Sequence, residues 1–538
     1  MSSIENRITR AASAGSAGGR LHSRRRRVIG WMVVGAVAGT AAFGGTSVAA
    51  ASTPAASSGH HDAHQRLAPK ITHTRTGPTG YEVTFRFSAP DATAVAIRGE
   101  WGLRSEADAT TRPPSEYQPG DFFNEALVTD MTRGKGGVWT FTTPLPPGTW
   151  SYQFQVTPAA DPDQLYIQDP ANPTFNQRGT KTQGSYEPLS QVYVPTDKRF
   201  SPDDRSVQAP VPGRQQGKIV SLRYSSPGAT TCATDALCAS PADKHDITVY
   251  TPAGYNPNRK LPYPTLYLSH GGGGNEIDWP TQGASAAIID RLIAEKTLQP
   301  TVVVTTDFNG LPVVGGSAER GYSLDLIDNV IPFVEKKYNV SDESDDRAFG
   351  GLSAGGGRAG DLLFNFPTTF GYYGIWSSTG AFGPTIDFSN PDARTRLALN
   401  VGIGTQDPGV LRHEGLDRLA ATDIPFTRND VNGVHSWDVW RQLMANFAEK
   451  IAFAHTETAV DVSRKAVTAT VDASSTLAAP VTGTVQFSLD GKKIGKPVKL
   501  HRGTATLPLT GRNAPSGSLA GVVATYSGDR YYATSTSE

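Results

Sequence analysis

The chain has 538 residues, of which 38% are hydrophobic and 19% are charged, with two cysteines and a formal net charge of zero. This length exceeds that of one domain and predicts about three or four. The first 51 residues hold seven arginines and one acidic residue, which leaves 43 basic against 49 acidic residues in the remainder. Such a mildly acidic protein lacks the basic surface that nucleic-acid binding requires, and we expect no nucleic-acid partner.

Residues 1–51 predict a secretory signal peptide. Arg24–Arg27 precede an apolar stretch from Val28 to about Phe43, and small residues follow up to Ala51. This is the order of the charged, apolar and cleavage regions of an export signal, and the arginine run also permits the twin-arginine route. The competing interpretation is an uncleaved anchor, since the apolar stretch could span a bilayer if it extended through Ala51. We expect cleavage, export and no later membrane attachment.

Cys232 and Cys238 lie six residues apart in a polar loop rich in turn-forming residues. In an exported protein such a close pair predicts a disulfide that pins this loop. The spacing does not fit a redox pair or a zinc site, and we expect no metal.

Changes in composition divide the rest of the chain into predicted linkers and domains. Residues 52–67 and 197–215 are rich in Pro, Ser, Gly and charged residues, which is typical of linkers. The segments between and after them predict a β-sandwich over residues 68–196, an α/β domain over 216–456 and a second β-sandwich over 457–538.

Residues 68–196 resemble the early-set immunoglobulin-like domains classed with the family 48 carbohydrate modules. The resemblance runs through V-T-F-R-F-S-A-P-D-A-T-A-V, G-E-W and P-L-P-P-G-T-W-S-Y-Q-F. It implies that exposed aromatic residues could stack on sugar rings, with Trp101, Trp139 and Trp150 as candidates. Because Trp139 and Trp150 lie in predicted strands, a place in the core is the better interpretation for both.

Residues 457–538 resemble bacterial immunoglobulin-like repeats, through G-T-V-Q-F-S-L-D-G and A-T-Y-S-G-D-R-Y-Y-A-T-S-T-S. That resemblance implies a spacer or adhesive module, and no site is carried over from it.

The middle domain alternates apolar strands with helical patterns. Strands are predicted over residues 265–269, 301–306, 348–352, 372–377 and 398–404, and helices over 284–295, 323–338 and 436–454. This alternation predicts a mostly parallel sheet with helices on both faces.

Two glycine-rich motifs follow strands of this sheet. The pentapeptide G-L-S-A-G at residues 351–355 has the form of a nucleophile elbow and singles out Ser353. Glycine makes up 56 residues, so this match carries little weight alone. His270 and four glycines follow an earlier strand, where hydrolases of this fold place oxyanion-stabilising N–H groups. We expect one donor from Gly271 or Gly272 and the other from Ala354.

A serine nucleophile also needs a base and an acid, in the chain order Ser, acid, His. His435 precedes the last amphipathic helix, and Asp407 ends the apolar run L-N-V-G-I-G-T-Q-D. We predict that His435 is the general base and that Asp407 orients it. Other polar candidates lie in helical or surface patterns, namely His413, Asp417, Asp423, Asp430 and Asp438. No cofactor is required.

This domain resembles carbohydrate esterase family 1, which includes feruloyl and acetylxylan esterases, and also siderophore esterases, S-formylglutathione hydrolases and mycolyltransferases. The matching motifs are S-H-G-G-G-G-N-E-I-D-W, G-L-S-A-G-G, G-T-Q-D-P and G-V-H-S-W-D-V-W-R. The resemblance implies an α/β-hydrolase fold and the triad of Ser353, Asp407 and His435. It also implies residues that line the substrate, for which the candidates are His270, Asp278, Trp279 and Trp437.

The sequence therefore predicts a secreted serine esterase that acts on an ester substrate, expected to be a feruloyl or acetyl group on plant cell-wall polysaccharide. A siderophore trilactone esterase and a cell-wall acyltransferase remain open. The alternative without activity is a glycan-binding or adhesion protein whose hydrolase domain is silent. The oligomeric state cannot be inferred from the sequence.

Overall fold

The structure is a computed structural model that describes residues 67–159, 165–173, 189–230, 240–378, 380–382, 387–407, 414–473, 480–510, 519, 521–529, 532 and 534–537. The predicted signal peptide, Cys232, Cys238 and their predicted disulfide lie outside the described residues, as does His413. None of the helices in these ranges combines the length and the apolar character that a bilayer crossing needs.

The N-terminal part is a sandwich of two antiparallel sheets. One sheet has the order β1-β2-β6-β5, and the other has the order β4-β3-β7-β8 with β9 also paired to β7. Alternate residues of these strands point between the sheets and form one core, which contains Trp101, Trp139 and Trp150. All three tryptophans are buried, as predicted for the latter two. The strands are β1 (Lys70–His73), β2 (Tyr81–Ser88), β3 (Ala92–Arg104), β4 (Phe122–Asp130), β5 (Thr132–Arg133), β6 (Val138–Pro144), β7 (Gly148–Pro158), β8 (Leu165–Ile167) and β9 (Ser190–Val194).

The middle part is built on an eight-stranded sheet of order β10-β11-β13-β12-β14-β15-β16-β17. The strands from β13 to β17 along this order pair in parallel, and β10 and β11 form an antiparallel edge. The mostly parallel α/β fold predicted from the sequence is thus confirmed. The strands are β10 (Lys218–Ser225), β11 (Lys244–Thr251), β12 (Thr265–Ser269), β13 (Val302–Thr306), β14 (Arg347–Leu352), β15 (Tyr372–Trp376), β16 (Ala398–Gly404) and β17 (Thr427–Val431).

Helices cover both faces of this sheet. They are α1 (Ser285–Glu295), α2 (Ala318–Asp325), α3 (Ile331–Lys337), α4 (Ala354–Asn365), α5 (Glu414–Ala420) and α6 (Trp437–Lys450), and a π-helical turn at Leu326–Val330 joins α2 to α3. Apolar residues of α1 and α6 share one core with Leu266 and Leu268 of β12, whereas α2, α3 and α4 share the other core with Tyr267. Because both faces are buried, the central strands are mostly apolar and do not alternate between polar and apolar residues.

The C-terminal part is a second sandwich with its own core around Val485, Phe487 and Tyr526. Its sheets have the orders β18-β19-β22 and β21-β20-β23-β24. The strands are β18 (Thr456–Val462), β19 (Ala466–Ala473), β20 (Thr484–Leu489), β21 (Lys492–Lys499), β22 (Thr504–Pro508), β23 (Val522–Tyr526) and β24 (Ser535–Thr536).

Candidate active site

Ser353 lies on a sharp turn between β14 and α4. Its backbone has φ 51° and ψ −116°, a left-handed conformation that is rare outside glycine and is typical of strained functional positions. Both glycines of the motif are required here. A Cβ on Gly351 would lie 2.2 Å from the Gly355 carbonyl oxygen, and one on Gly355 would lie 2.5 Å from the His270 carbonyl oxygen. The sequence G-L-S-A-G therefore permits a turn that places Ser353 above the carboxyl edge of the sheet.

The glycine loop after β12 lies directly against this turn. A Cβ on Gly271 would lie 3.3 Å from Ser353 Cβ, whereas nothing lies within 4 Å of one on Gly272. The loop is closed by the Gly274 N–H, which donates to the Gly271 carbonyl oxygen at 3.2 Å. Gly271 thus lies against Ser353, whereas the side-chain position of Gly272 faces open space. Ala354 is the first residue of α4, so its N–H has no acceptor within the helix.

Asp407 and His435 follow the last two strands of the sheet, β16 and β17. Backbone bonds from Thr405 N to Val431 O and from Gln406 N to Gly433 O, both 2.8 Å, hold the two loops together. His435 Nδ1 lies 2.8 Å from Asp407 Oδ2. The carboxylate is buried, and the imidazole is 39% exposed. An imidazole held by a carboxylate at one nitrogen presents its other nitrogen for proton transfer.

A chain of perpendicular tryptophan rings supports the imidazole from below. The ring of Trp440 meets His435 edge to face at 4.9 Å, Trp437 meets Trp440 at 5.2 Å, and Trp279 meets Trp437 at 5.3 Å. The indole N–H of Trp279 donates to the carbonyl oxygen of Ser269, the last residue of β12. This aromatic chain therefore links the histidine loop with the start of the glycine loop.

The four residues predicted to line the substrate all lie inside the protein. His270, Asp278 and Trp279 are at most 1% exposed and Trp437 is 7% exposed. They support the site from beneath because each packs under the glycine loop or under His435. The Nδ1–H of His270 donates to the Gly271 carbonyl oxygen at 2.7 Å and so orients the loop.

Asp278 is a buried carboxyl group beneath the glycine loop. A Cβ on Gly274 would lie 2.1 Å from its Oδ2, so this glycine leaves room for the carboxyl. Burial raises the pKa of Asp278 well above its ordinary value, and the negative charges of Glu276 and Asp307 act in the same direction. Burial at this position therefore favours the protonated form of the carboxyl group.

Other supports were not predicted from the sequence. Arg358 Nη1 donates to the Ala354 carbonyl oxygen at 2.8 Å, and its guanidinium lies 3.4 Å from the ring centroid of Phe308, which stacks on His270. Asp307 Oδ1 lies 3.2 Å from His270 Nε2. Asp307 could have been found from the sequence, because it is a polar residue that directly follows the predicted strand 301–306. Nothing in the sequence pattern marked Arg358, which contacts the site from within a helix.

An elbow serine, a facing glycine loop and a paired His and Asp, all at the carboxyl edge of a mostly parallel sheet, define an α/β-hydrolase domain. Comparison with known families agrees. Residues 239–451 match the family described as "Putative esterase", and residues 453–538 match the bacterial Ig-like domain (group 3). Over these two ranges the chain is therefore similar to an esterase family and to a bacterial Ig-like family.

Similar proteins include an endo-1,4-beta-xylanase/feruloyl esterase of Xylanibacter ruminicola, 27% identical over 68% of this chain and 44% of the relative. Endo-1,4-beta-xylanase Y of Acetivibrio thermocellus is 33% identical over 31% of this chain and 15% of its own length. The chain thus spans less than half the length of these two relatives. Among solved structures, a feruloyl esterase module from Clostridium thermocellum is 24% identical with a TM-score of 0.38, covering 46% of this chain and 91% of that one.

Proposed function

We propose that the protein is an exported serine carboxylic ester hydrolase that removes acyl groups, feruloyl or acetyl, from plant cell-wall polysaccharide. The observation that carries the proposal is the 2.8 Å pairing of His435 Nδ1 with Asp407 Oδ2 at the same sheet edge as the strained Ser353 elbow. The esterase family match over residues 239–451 supports the reaction type. The similarity to a xylanase/feruloyl esterase supports the substrate class.

The residues divide the reaction between them. Serine is a weak nucleophile at neutral pH, so His435 takes the Ser353 hydroxyl proton as the oxygen attacks the ester carbonyl. Asp407 holds the imidazole in one tautomer and stabilises its protonated form. His435 then returns the proton to the leaving alcohol, and water repeats the sequence on the acyl-enzyme.

The N–H groups of Gly271 or Gly272 and of Ala354 are proposed to stabilise the oxyanion. The open space at Gly272 and the position of Ala354 at the start of α4 support this role. The N-terminus of a helix favours negative charge, and one such donor contributes about 3 kcal/mol of barrier lowering.

The first test compares the wild type with Ser353→Ala on 4-nitrophenyl acetate. We expect hydrolysis by the wild type and a loss of about 10⁴-fold or more in the variant. Equal and negligible rates would contradict an esterase and favour the silent hydrolase domain.

The second test decides the substrate. The protein is incubated with feruloylated arabinoxylan, acetylated xylan and a trilactone siderophore, and free ferulate, acetate and siderophore fragments are quantified. Release of ferulate or acetate supports the proposal. Cleavage of the trilactone alone would replace it, and transfer of the acyl group to an added sugar would identify an acyltransferase.

A further inference from the structure

The polar face of β7 is buried although the strand lies in a sandwich with a solvent side. Trp150, Tyr152 and Phe154 point into the sandwich core. Ser151 and Gln153 point the other way and are nonetheless 0% exposed. Polar side chains on the outer face of a sheet become fully buried only when another layer covers them. Part of this layer comes from the α/β domain, whose Arg441 and Gln282 reach this sheet.

Arg441 stands at the centre of this junction. It lies on α6 and is 2% exposed. Its Nε donates to the Gln282 carbonyl oxygen at 2.9 Å, and its Nη1 donates to the Thr149 carbonyl oxygen on β7 at 2.7 Å. Gln191 of β9 donates to the same Gln282 oxygen at 3.2 Å. One guanidinium therefore joins α6, the turn after Trp279 and the N-terminal sandwich.

The charge at this junction is costly to bury. Burial lowers the pKa of Arg441, and the carboxylates of Asp438 and Glu100 oppose that change. Burial likewise raises the pKa of Glu100, against the attraction of Arg441 and a hydrogen bond from Ser151. A buried charge that is held by hydrogen bonds adds little net stability compared with apolar residues, and its best-attested use is to fix the register of the parts that it joins.

Each part joined by Arg441 leads directly to the candidate catalytic groups. The helix α6 begins two residues after His435, and Trp440, the neighbour of Arg441, carries the ring that meets His435. The turn that contains Gln282 follows Trp279, whose indole N–H donates a hydrogen bond to the end of β12, directly before the glycine loop. A shift of Arg441 would move the base and the oxyanion donors together.

Two hydrogen bonds at the surface also connect the N-terminal sandwich to the loops that carry Asp407 and His435. Gln406, the residue before Asp407, donates from Nε2 to Glu106 Oε1 at 3.0 Å. Asn432, on the loop that leads to His435, donates from Nδ2 to the Gly120 carbonyl oxygen at 2.9 Å. Glu106 and Gly120 both belong to the β3–β4 connection of the N-terminal sandwich. This one connection therefore touches both loops that carry the acid and the base.

We propose that the N-terminal β-sandwich is a positioning part of the catalytic centre, and that Arg441 is the positioning residue through which its docking holds His435 and the glycine loop. This inference rests on the proposed esterase function. It predicts that loosening the junction lowers kcat even for a small ester that does not extend to the N-terminal sandwich.

The test compares Arg441→Met and Arg441→Lys with a matched control, Arg347→Met. Arg347 is another largely buried arginine of the same domain, whose Nη1 donates to the Thr369 carbonyl oxygen at 2.8 Å, but it begins β14 at the end opposite Ser353. We expect Arg441→Met to lower kcat for 4-nitrophenyl acetate by about 10- to 100-fold with KM little changed, because small displacements of reacting groups have effects of this size. The lysine variant should recover part of the loss. Arg347→Met should lower the denaturant midpoint and leave kcat per folded molecule unchanged.

A second readout does not depend on turnover. The Nδ1 proton shared by His435 and Asp407 should give a low-field proton resonance, which we expect to shift or broaden in Arg441→Met and not in Arg347→Met. If the wild type is inactive but the resonance changes in Arg441→Met and not in Arg347→Met, the esterase function is contradicted and the inference about Arg441 is not. A folded Arg441→Met with unchanged kcat and an unchanged resonance would overturn the inference. Should that variant not fold, Arg441→Lys and the surface variant Glu106→Ala decide: reduced kcat in both supports the inference, and any other result overturns it.

Discussion

At the scale of single residues, the proposed role of Asp407 is to orient His435 so that its other ring nitrogen accepts the proton. In Asp407→Asn the amide can occupy the same space but can donate to Nδ1 and so favour the wrong tautomer. We expect kcat for 4-nitrophenyl acetate to fall by about 10⁴-fold with little change in the denaturant midpoint. The control is Asp430→Asn on β17, whose partner is the surface residue Arg428. A loss below tenfold in Asp407→Asn would exclude this carboxylate as the orienting acid.

Asp278 gives a prediction of pH dependence. Its pKa is raised in the folded state, so the folded protein keeps a proton that the unfolded chain releases as the pH rises above the ordinary value for aspartate. This contribution to stability is fully present at acidic pH and is lost as the pH rises. Asp278→Asn has no such proton, and we expect its free energy of unfolding to decline less than that of the wild type between pH 4.5 and pH 8.

Urea unfolding at several pH values measures this difference. The matched control is Asp387→Asn, because Ser389 lowers the pKa of the exposed Asp387 through hydrogen bonds. Its contribution is lost only as the pH falls below the ordinary value for aspartate, so the control variant should run parallel to the wild type between pH 4.5 and pH 8 and differ from it only at lower pH. Parallel profiles for Asp278→Asn and the wild type would show that Asp278 is not held neutral.

At the scale of elements, the glycines of helix α4 differ in whether a side chain at their position would collide with a neighbouring segment. A Cβ on Gly355 would lie 2.5 Å from the His270 carbonyl oxygen, whereas the nearest atom to one on Gly357 is 3.9 Å away. Gly355→Ala should push the helix from the glycine loop, lowering the free energy of unfolding by about 1–3 kcal/mol and kcat by about tenfold or more. Gly357→Ala, in the same helix, should stabilise by about 0.5–1 kcal/mol with kcat unchanged. Equal effects of the two substitutions would contradict this account.

The sequence predicts the strands and helices around the site well because each depends on the pattern of apolar residues within its own segment. Buried parallel strands are mostly apolar, and both β12 and β16 coincide with the predicted ranges 265–269 and 398–404. The helix predicted over 323–338 begins earlier, at Ala318, and is broken by the π-turn at Leu326–Val330. The first turn of α2 is polar and so escapes a search for apolar periodicity. The antiparallel edge strands β10 and β11 were also missed.

At the scale of the whole molecule, the sequence could not predict how the N-terminal sandwich and the α/β domain meet. The alternation T-W-S-Y-Q-F-Q-V in β7 indicates a strand with one solvated face. The structure instead buries its polar residues, in part because two segments far along the chain, which carry Gln282 and Arg441, lie against that sheet. Such a polar interface leaves no hydrophobic signature in sequence. The contacts between the N-terminal sandwich and the α/β domain join segments that are distant in the chain, and for that reason no sequence motif predicted them.

This interface predicts that the N-terminal sandwich and the α/β domain lose structure together. Phe85 is 0% exposed in the N-terminal core, and Phe85→Ala should cost about 3–5 kcal/mol there. If the junction at Arg441 couples the two parts, esterase activity should be lost at a temperature several degrees lower than in the wild type. The matched control is Phe487→Ala, an equally buried substitution in the separate C-terminal core, which should leave the temperature of activity loss unchanged. Activity loss that is insensitive to Phe85→Ala, with the sandwich already unfolded by circular dichroism, would show that the α/β domain is stable without the N-terminal sandwich.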